Sequence, residues 1–212
     1  MAKIKAIFFD MDGVLIDARD LHYEALNAAL MPFGMPISRD AHLSTFDGLS
    51  TRQKLVILSE TLGLPTGLHD LIHDLKQKHT QAKISTHCRP VFHHRYMLSR
   101  LQREGYRLAL CSNSVRDSVE EMIRYANIGE FFEFTLSNED IANPKPAPDI
   151  YIEAARRMGL APYECLAVED NANGIAAANS AAVKVLVVAD PDDITYERVI
   201  ERLDAVKREV AR

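Results

Sequence analysis

A short apolar run that ends abruptly in two carboxylates most constrains how this chain can fold. Residues 6–9 (Ala-Ile-Phe-Phe) contain no polar side chain and predict a strand buried on both faces. Asp10 and Asp12 follow at its carboxyl end, where open α/β sheets bind their ligands. Unpaired charge beside a core is costly, so the two carboxylates indicate chemistry. One could bind a hard cation and attack an electrophile while its neighbour moves a proton.

The order of predicted elements beyond residue 100 indicates an α/β fold. Apolar runs alternate there with helical patterns, which is typical of right-handed βαβ units and a parallel sheet covered on both faces. The predicted strands are 106–111, 165–168 and 183–188, with a short apolar run at 131–136. The predicted helices are 115–127, 147–158 and 174–181.

A helical segment interrupts this pattern after the first strand. Helical periodicity recurs over 20–30, 52–62 and 68–84, and no convincing strand lies between residues 17 and 87. One more helix ends at Arg103, before Gly105. We therefore predict a Rossmann-like parallel-sheet core, residues 1–16 and 88–212, with an inserted small all-helical cap domain, residues 17–87.

The composition limits the cell compartments and the classes of binding partner that suit this chain. The net charge of −5, without a block of like charges, argues against nucleic acid as a partner. No apolar run is long enough for a membrane span, and the first strand starts too early to leave room for a signal peptide. Three cysteines without metal-ligand spacing favour a reducing compartment. We expect a cytoplasmic protein.

Polar residues follow successive predicted strands. They are Asp10 and Asp12, then Ser112 and Asn113, then Glu169 and Asp170, with Lys145 in a proline-rich loop between the last two pairs. Because the carboxyl ends of parallel strands share one edge, we expect these groups to converge. The acids suit Mg²⁺, while a hydroxyl, an amide and a lysine suit the oxygens of a phosphate group.

Each feature alone has a simpler interpretation. Asp10 and Asp12, or Ser112 and Asn113, could cap the helix that follows them. Lys145 could be a solvated surface lysine, and the acidic pair near residue 170 a favourable helix start. All of them together, in this order and at successive strand ends, favour a site for a divalent cation and a phosphate.

These residues resemble the motifs of the haloacid dehalogenase superfamily of phosphohydrolases. The stretch Asp10–Asp17 resembles the first motif, Asp-x-Asp-Gly-Val, and Ser112 resembles the second. Lys145 matches the third motif, and Glu169-Asp170 matches the fourth. The chain is similar to the subgroup with a helical cap after the first motif, which includes β-phosphoglucomutase and phosphoglycolate phosphatase.

The resemblance implies a role for each core residue. Asp10 would attack phosphorus and become an aspartyl phosphate, and Asp12 would protonate the leaving oxygen and later deprotonate water. Asp12 must then start protonated, so its pKa is expected to lie above that of Asp10. Ser112, Asn113 and Lys145 would bind the phosphate. The ligands of Mg²⁺ would be the side chains of Asp10 and Asp170 with the Asp12 carbonyl, while Glu169 orients metal-bound water from outside the coordination sphere.

The cap contains a second informative segment. Thr45–Arg52 resembles the family's Gly-centred specificity loop, in which Gly48 allows a close backbone approach. In β-phosphoglucomutase an arginine three residues after that glycine binds a second phosphate. Here Thr51 stands at that position and Arg52 follows, turned by about 100° on a helix.

Two further cap residues match mutase positions. His22 lies ten residues after Asp12, and Lys76 lies in the third predicted cap helix. His22 could equally be an ordinary partly buried helix histidine, and Lys76 part of a solvated face. The candidate substrate-contacting residues of the cap are therefore His22, Gly48, Arg52 and Lys76.

The leading prediction is a Mg²⁺-dependent phosphatase, an enzyme that acts on a small phosphorylated metabolite such as a sugar phosphate. A β-phosphoglucomutase-like phosphosugar mutase is the alternative, since it would use the same aspartyl phosphate. A phosphate-binding protein without turnover is the third hypothesis. We expect a monomer or a weak dimer with no membrane partner.

Overall fold

The computed structural model describes residues 3–210 and contains a parallel five-stranded sheet. Its strands are β1 (Ala6–Phe9), β2 (Arg107–Cys111), β3 (Phe134–Leu136), β4 (Cys165–Glu169) and β5 (Lys184–Val187), in the order β3-β2-β1-β4-β5. The first strand is central, with Phe9 level with Leu110 on one side and Val168 on the other. The predicted α/β, Rossmann-like parallel-sheet fold is confirmed.

Nine α-helices accompany the sheet within residues 3–210. They are α1 (Arg19–Leu30), α2 (Arg39–Ala41), α3 (Thr51–Leu62), α4 (His69–His87), α5 (Phe92–Arg103), α6 (Arg116–Ala126), α7 (Asp149–Met158), α8 (Ala172–Ser180) and α9 (Tyr196–Val210). None of the helices in this part of the chain is both long enough and apolar enough to cross a membrane.

Helices cover both faces of the sheet, as the apolar first strand requires. Ile7 and Phe9 belong to one buried cluster, which α5, α6 and α9 complete. Ala6 and Phe8 point the other way, into a cluster closed by α7 and α8. Alternate side chains of β1 therefore meet two separate layers of helices, and this explains why no polar residue interrupts the strand.

The segment between β1 and α5 has a hydrophobic cluster of its own. Leu26 of α1, Leu55 and Leu58 of α3 and Ile72 of α4 are buried together. Helix α1 packs against α4. Between residues 17 and 87 the structure forms helices and loops, and the domain boundaries at 16–17 and 87–88 stay a prediction.

The structure adds elements that the sequence analysis did not assign. Helix α9 is the largest; its buried Val199, Leu203 and Val206 follow the helical spacing that should have revealed it. A short π-helical turn, His42–Phe46, continues α2. Helix α8 begins at Ala172, earlier than the predicted start at 174, because the Asn171 side chain accepts a hydrogen bond from the Gly174 amide and caps it.

We predict that Leu58→Ala lowers the free energy of unfolding by about 2–5 kcal/mol, because it leaves a cavity in the buried cluster of the cap. Leu58 is 0% exposed, whereas Leu62 on the same helix is 55% exposed. The matched control Leu62→Ala should change the free energy by no more than about 0.5 kcal/mol. Urea unfolding followed by circular dichroism measures both, and equal losses would contradict this packing.

Candidate active site

Three carboxylates meet where β1 and β4 end. The backbone N–H of Asp10 donates a 3.0 Å hydrogen bond to the Val168 carbonyl, and this holds Asp10 beside Glu169 and Asp170. One carboxylate oxygen from each of the three residues lies within 4.8 Å of the other two. Asp10 and Glu169 are buried. The parallel register therefore produces the convergence that the sequence predicts.

Lys145 lies between two of these carboxylates and is 2% exposed. Its Nζ is 2.6 Å from Asp10 Oδ1 and 2.6 Å from Glu169 Oε1, and it donates a third hydrogen bond of 2.8 Å to the Cys111 carbonyl. The interpretation of Lys145 as a solvated surface lysine is therefore wrong. Three acceptors satisfy all three protons of the ammonium.

Burial and charge compete in this cluster. Burial raises the pKa of Asp10 well above its ordinary value, and Lys145 opposes that rise. Burial likewise raises the pKa of Glu169 despite the same ammonium. Burial alone would lower the pKa of Lys145, but the two carboxylates raise it above its ordinary value. Lys145 therefore carries a permanent positive charge at neutral pH.

The donor set fits a hard divalent cation. Glu169 Oε2 is buried and has no hydrogen-bond partner among the described residues, whereas Glu169 Oε1 accepts from Lys145 and from the Tyr151 hydroxyl. A buried carboxylate oxygen without a partner is costly, and a bound cation would satisfy it. Oxygen atoms from Asp10, Glu169 and Asp170 are the ligands that Mg²⁺ prefers.

Gly174 makes room for the Glu169 carboxylate. A Cβ at this position would lie 2.0 Å from Glu169 Oε2, closer than two atoms can approach. The first turn of α8 therefore needs a glycine there. Since α8 starts directly after the acidic pair, its N-terminus also favours negative charge at this edge of the sheet.

Asp12 lies beside the cluster in a different environment. Its Oδ2 accepts a 2.9 Å hydrogen bond from Ser114 Oγ and is 3.1 Å from His22 Nε2. On the other side of the ring, Lys76 Nζ is 3.4 Å from His22 Nδ1. A chain of polar contacts therefore runs from Asp12 in the core to α4 in the cap.

Without metal or substrate, the pKa values of the two aspartates shift in the order opposite to the one expected for the reacting complex. Burial raises the pKa of Asp12, but His22 and Ser114 outweigh it and hold that pKa below its ordinary value. The pKa of Asp10 lies well above its ordinary value, because burial and the neighbouring carboxylates act together. Sequence reasoning missed this because the difference arises from partners that only the fold supplies.

The residues expected to bind phosphate differ in how they are held. Ser112 is buried, and its Oγ accepts a 3.0 Å hydrogen bond from the Ser114 amide. Asn113 Nδ2 donates to the carbonyls of Gly48 and Lys145, while its Oδ1 accepts from the Lys145 amide. Both polar atoms of the Asn113 side chain therefore have partners within the protein. These hydrogen bonds hold the loop that contains Lys145 against the cap.

The four candidate cap residues do not all reach this site. His22, Gly48 and Lys76 line a cavity between cap and core together with Asp10 and Asp12. Gly48 has φ +72°, and a Cβ there would lie 2.6 Å from the Asn171 side chain, so a glycine is needed for the loop's close approach.

Arg52 lies outside this cavity, and its assignment as a substrate contact is corrected accordingly. Its side chain is 68% exposed and pairs with Asp70 at 3.1 Å, outside the cavity. The reason is the one-residue offset on α3. Thr51 faces the cavity, and the next position points towards solvent.

Two residues of the site were not singled out from the sequence. Arg19 donates a 2.7 Å hydrogen bond to Asp170 Oδ2 and lies 3.8 Å from Asp47 of the cap loop, so it links the two parts of the chain. Lys54 lines the cavity from α3. Its signal was available, since it falls on the buried stripe formed by Thr51, Leu55 and Leu58.

We predict that Lys145→Met, measured with EDTA present, lowers the free energy of unfolding by about 3–5 kcal/mol at about pH 8, because it leaves two buried carboxylates without their counter-charge. Their folded-state pKa values then rise further above the unfolded values. Stability should therefore fall as pH rises from about 5 to about 8, more steeply than in the wild type.

Urea unfolding at the two pH values is the measurement. Lys78→Met is the control, because Lys78 is an exposed lysine of α4. It should change the free energy by no more than about 0.5 kcal/mol at either pH. A loss in Lys145→Met that does not depend on pH would contradict the charge argument.

The fold and sequence are similar to those of known proteins over most of the chain. The phosphorylated carbohydrates phosphatase of Thermotoga maritima is 27% identical over 184 residues, 85% of this chain and 83% of that protein. The β-phosphoglucomutase structure from Clostridium difficile has a TM-score of 0.85 at 22% identity, covering 99% of this chain and 100% of that one.

A third comparison includes a ligand. A CbbY variant from Rhodobacter sphaeroides in complex with xylulose-1,5-bisphosphate has a TM-score of 0.77 at 25% identity, covering 87% of this chain and 85% of that one. The resemblance drawn from the motifs is confirmed at the level of the family. The sequence model of the haloacid dehalogenase-like hydrolase family matches residues 7–188, and the chain therefore belongs to that family of enzymes.

Proposed function

We propose that this protein is a Mg²⁺-dependent phosphatase that hydrolyses a small phosphorylated metabolite through an aspartyl-phosphate intermediate. The observation that carries the proposal is the buried Asp10 carboxylate, 2.6 Å from the Lys145 ammonium and beside two further carboxylates. This group borders a cavity between cap and core. Similarity to a phosphatase of phosphorylated carbohydrates supports the reaction class.

In the first half-reaction, Asp10 attacks phosphorus as a nucleophile. A bond forms between a carboxylate oxygen and phosphorus, and the bond from phosphorus to the leaving oxygen breaks. Carboxylate and phosphate repel each other, so the fixed charge of Lys145 is needed to offset this repulsion. The side chains of Asp10 and Asp170 and the Asp12 carbonyl would hold Mg²⁺, with Glu169 just outside its coordination sphere, and the ion would supply a Lewis acid that neutralises charge on the phosphoryl oxygens.

Asp12 serves as acid and then as base. It gives its proton to the leaving oxygen, then takes one from the water that attacks the phosphorylated Asp10, which releases inorganic phosphate. Its pKa is low in the protein alone, but a nearby phosphate dianion raises the pKa of a carboxyl group. Substrate binding therefore favours the protonated form that the first step requires.

The phosphosugar mutase stays the alternative. His22 and Lys76 border the cavity, and the fold matches a β-phosphoglucomutase structure. Against it, Thr51 replaces the arginine that would hold a second phosphate, and Arg52 points to solvent. A phosphate-binding protein without turnover is less consistent with membership of the haloacid dehalogenase-like hydrolase family.

The proposal extends to a cytoplasmic location and to a monomer or weak dimer. Three cysteines, all buried and without a disulfide, support a reducing compartment such as the cytoplasm. A monomer or weak dimer remains the expected state.

We expect phosphate release from a few members of a panel of phosphorylated metabolites with Mg²⁺, and none after EDTA. Asp10→Asn should lower the rate by about 1,000-fold or more, because the amide is a poor nucleophile. The exposed Asp74→Asn on α4 is the matched control and should keep wild-type activity. Release of phosphate by Asp10→Asn at the wild-type rate would contradict the mechanism.

The same panel separates the alternatives. Interconversion of hexose phosphates that requires a bisphosphate, without net phosphate release, would identify a mutase. Binding of phosphate without turnover of any substrate would favour the non-catalytic hypothesis.

Asp12→Asn should separate the two half-reactions when p-nitrophenyl phosphate is the substrate. The p-nitrophenolate leaving group needs no protonation, so the first step should persist. Hydrolysis of the intermediate should slow by about 100–10,000-fold without its base. Stopped-flow absorbance should therefore record a burst of one equivalent and then slow turnover. Fast turnover without a burst would show that Asp12 is not the base that activates water in the second step.

A further inference from the structure

Two lysines of the cap face the reaction centre. Lys54 lies on α3 and Lys76 on α4, and both line the cavity that contains Asp10. Each is only 6% exposed. Lysine is among the residues that are least often buried without a partner. Two largely buried lysine side chains that face one cavity therefore need an explanation.

Neither lysine has a carboxylate partner among the described residues. No Asp or Glu oxygen in residues 3–210 lies within 4.0 Å of either Nζ, and Lys54 has no hydrogen-bond acceptor there either. The one polar contact of Lys76 is His22 Nδ1 at 3.4 Å. The Lys145 ammonium, in contrast, is satisfied by three oxygens.

The electrostatics agree with this geometry. Burial lowers the pKa of Lys54 to about 8, although Asp47 and Asp12 oppose the shift. Burial and the neighbouring Lys54 together lower the pKa of Lys76 to about 7, although Asp12 opposes the shift. An anion placed between the two ammonium groups would remove this repulsion and stabilise their charged forms.

A structural role explains one lysine and leaves the other unexplained. Lys76 could serve to hold His22 against Asp12. Lys54 has no such contact, and Asp47 lies nearer to Arg19, at 3.8 Å. Replacing Lys54 with an apolar residue would fit the buried stripe of α3 better, so a structural account gives no reason for a lysine there.

We propose that Lys54 and Lys76 bind a second anionic group of the substrate, a carboxylate or a second phosphate, on the cap side of the cavity. The inference rests on the proposed phosphatase function and narrows its substrate. The preferred substrate is a phosphate monoester that bears another anionic group, rather than a sugar monophosphate without one. These two lysines supply the positive charge that Arg52 does not bring to the cavity.

The test compares matched substrates that differ in one group. Phosphoglycolate is compared with ethyl phosphate, and propane-1,3-diol bisphosphate with propyl phosphate. The wild type should prefer the member with the second anion by about 30-fold or more in kcat/KM, the scale of a buried charge pair. Preference within the first pair indicates a carboxylate, and within the second pair a phosphate; either supports the proposal.

Variants assign the preference to the lysines. Lys54→Met, of similar length, should lose most of the preference, because its kcat/KM should fall much further for the substrate with the second anion than for ethyl phosphate. Lys54→Arg should keep much of the preference, because the charge remains. Lys78→Met, an exposed change on α4, is the control and should behave as the wild type.

A second measurement needs no variant, in case Lys54→Met does not fold. Phosphonoacetate should inhibit ethyl phosphate hydrolysis at a lower concentration than ethylphosphonate, by about the same factor as in the substrate comparison. Equal kcat/KM within both substrate pairs, together with equal inhibition by the two phosphonates, would overturn the inference. An equal loss for both members of the preferred pair in Lys54→Met would overturn it as well. The phosphatase would stand in those cases. Absence of phosphate release from every substrate would instead overturn the proposed function itself.

Discussion

The buried contact of Lys145 with Asp10 and Glu169 is the interaction on which the rest of the site depends. It joins the ends of two strands to a loop that lies more than a hundred residues from Asp10 in the chain. Without the ammonium, two carboxylates would face each other in a medium of low polarity, where one of them would take up a proton. In the proposed mechanism, the same charge would also let a carboxylate approach a phosphate group.

Cap and core are connected through a few polar contacts around this centre. Asn113 holds the lysine loop and the carbonyl of Gly48 together, and Arg19 reaches Asp170 from the start of α1. The glycine allows the cap loop to approach the Asn171 side chain of the core closely. These contacts enclose the space above Asp10. Under the proposed function, the cap would therefore determine which leaving groups fit, while the core would supply the chemistry.

Charge is divided between the two sides of the cavity. The core side carries the carboxylates of Asp10 and Asp12 with the Lys145 ammonium, and the cap side carries the ammonium groups of Lys54 and Lys76 with the Asp47 carboxylate. Under the two proposals, one anionic group of the substrate would meet the reacting residues of the core and the other would meet the lysines of the cap. The contact of Lys76 with His22, which in turn contacts Asp12, would connect the second anionic group to the proposed proton carrier.

The sequence by itself determined the parallel sheet and the converging core residues, because apolar runs followed by polar residues leave few alternatives in a βαβ fold. It gave Arg52 a role that the direction of a helix face excludes, and it left α9 unassigned although its spacing was readable. The tertiary structure decided which aspartate has the raised pKa, since His22 and Ser114 come to Asp12 from distant segments. It also decided that Lys54 faces the cavity. The local sequence pattern determines the helices and strands. The pKa values of the side chains depend instead on burial and on partners from distant segments, and only the folded chain supplies these.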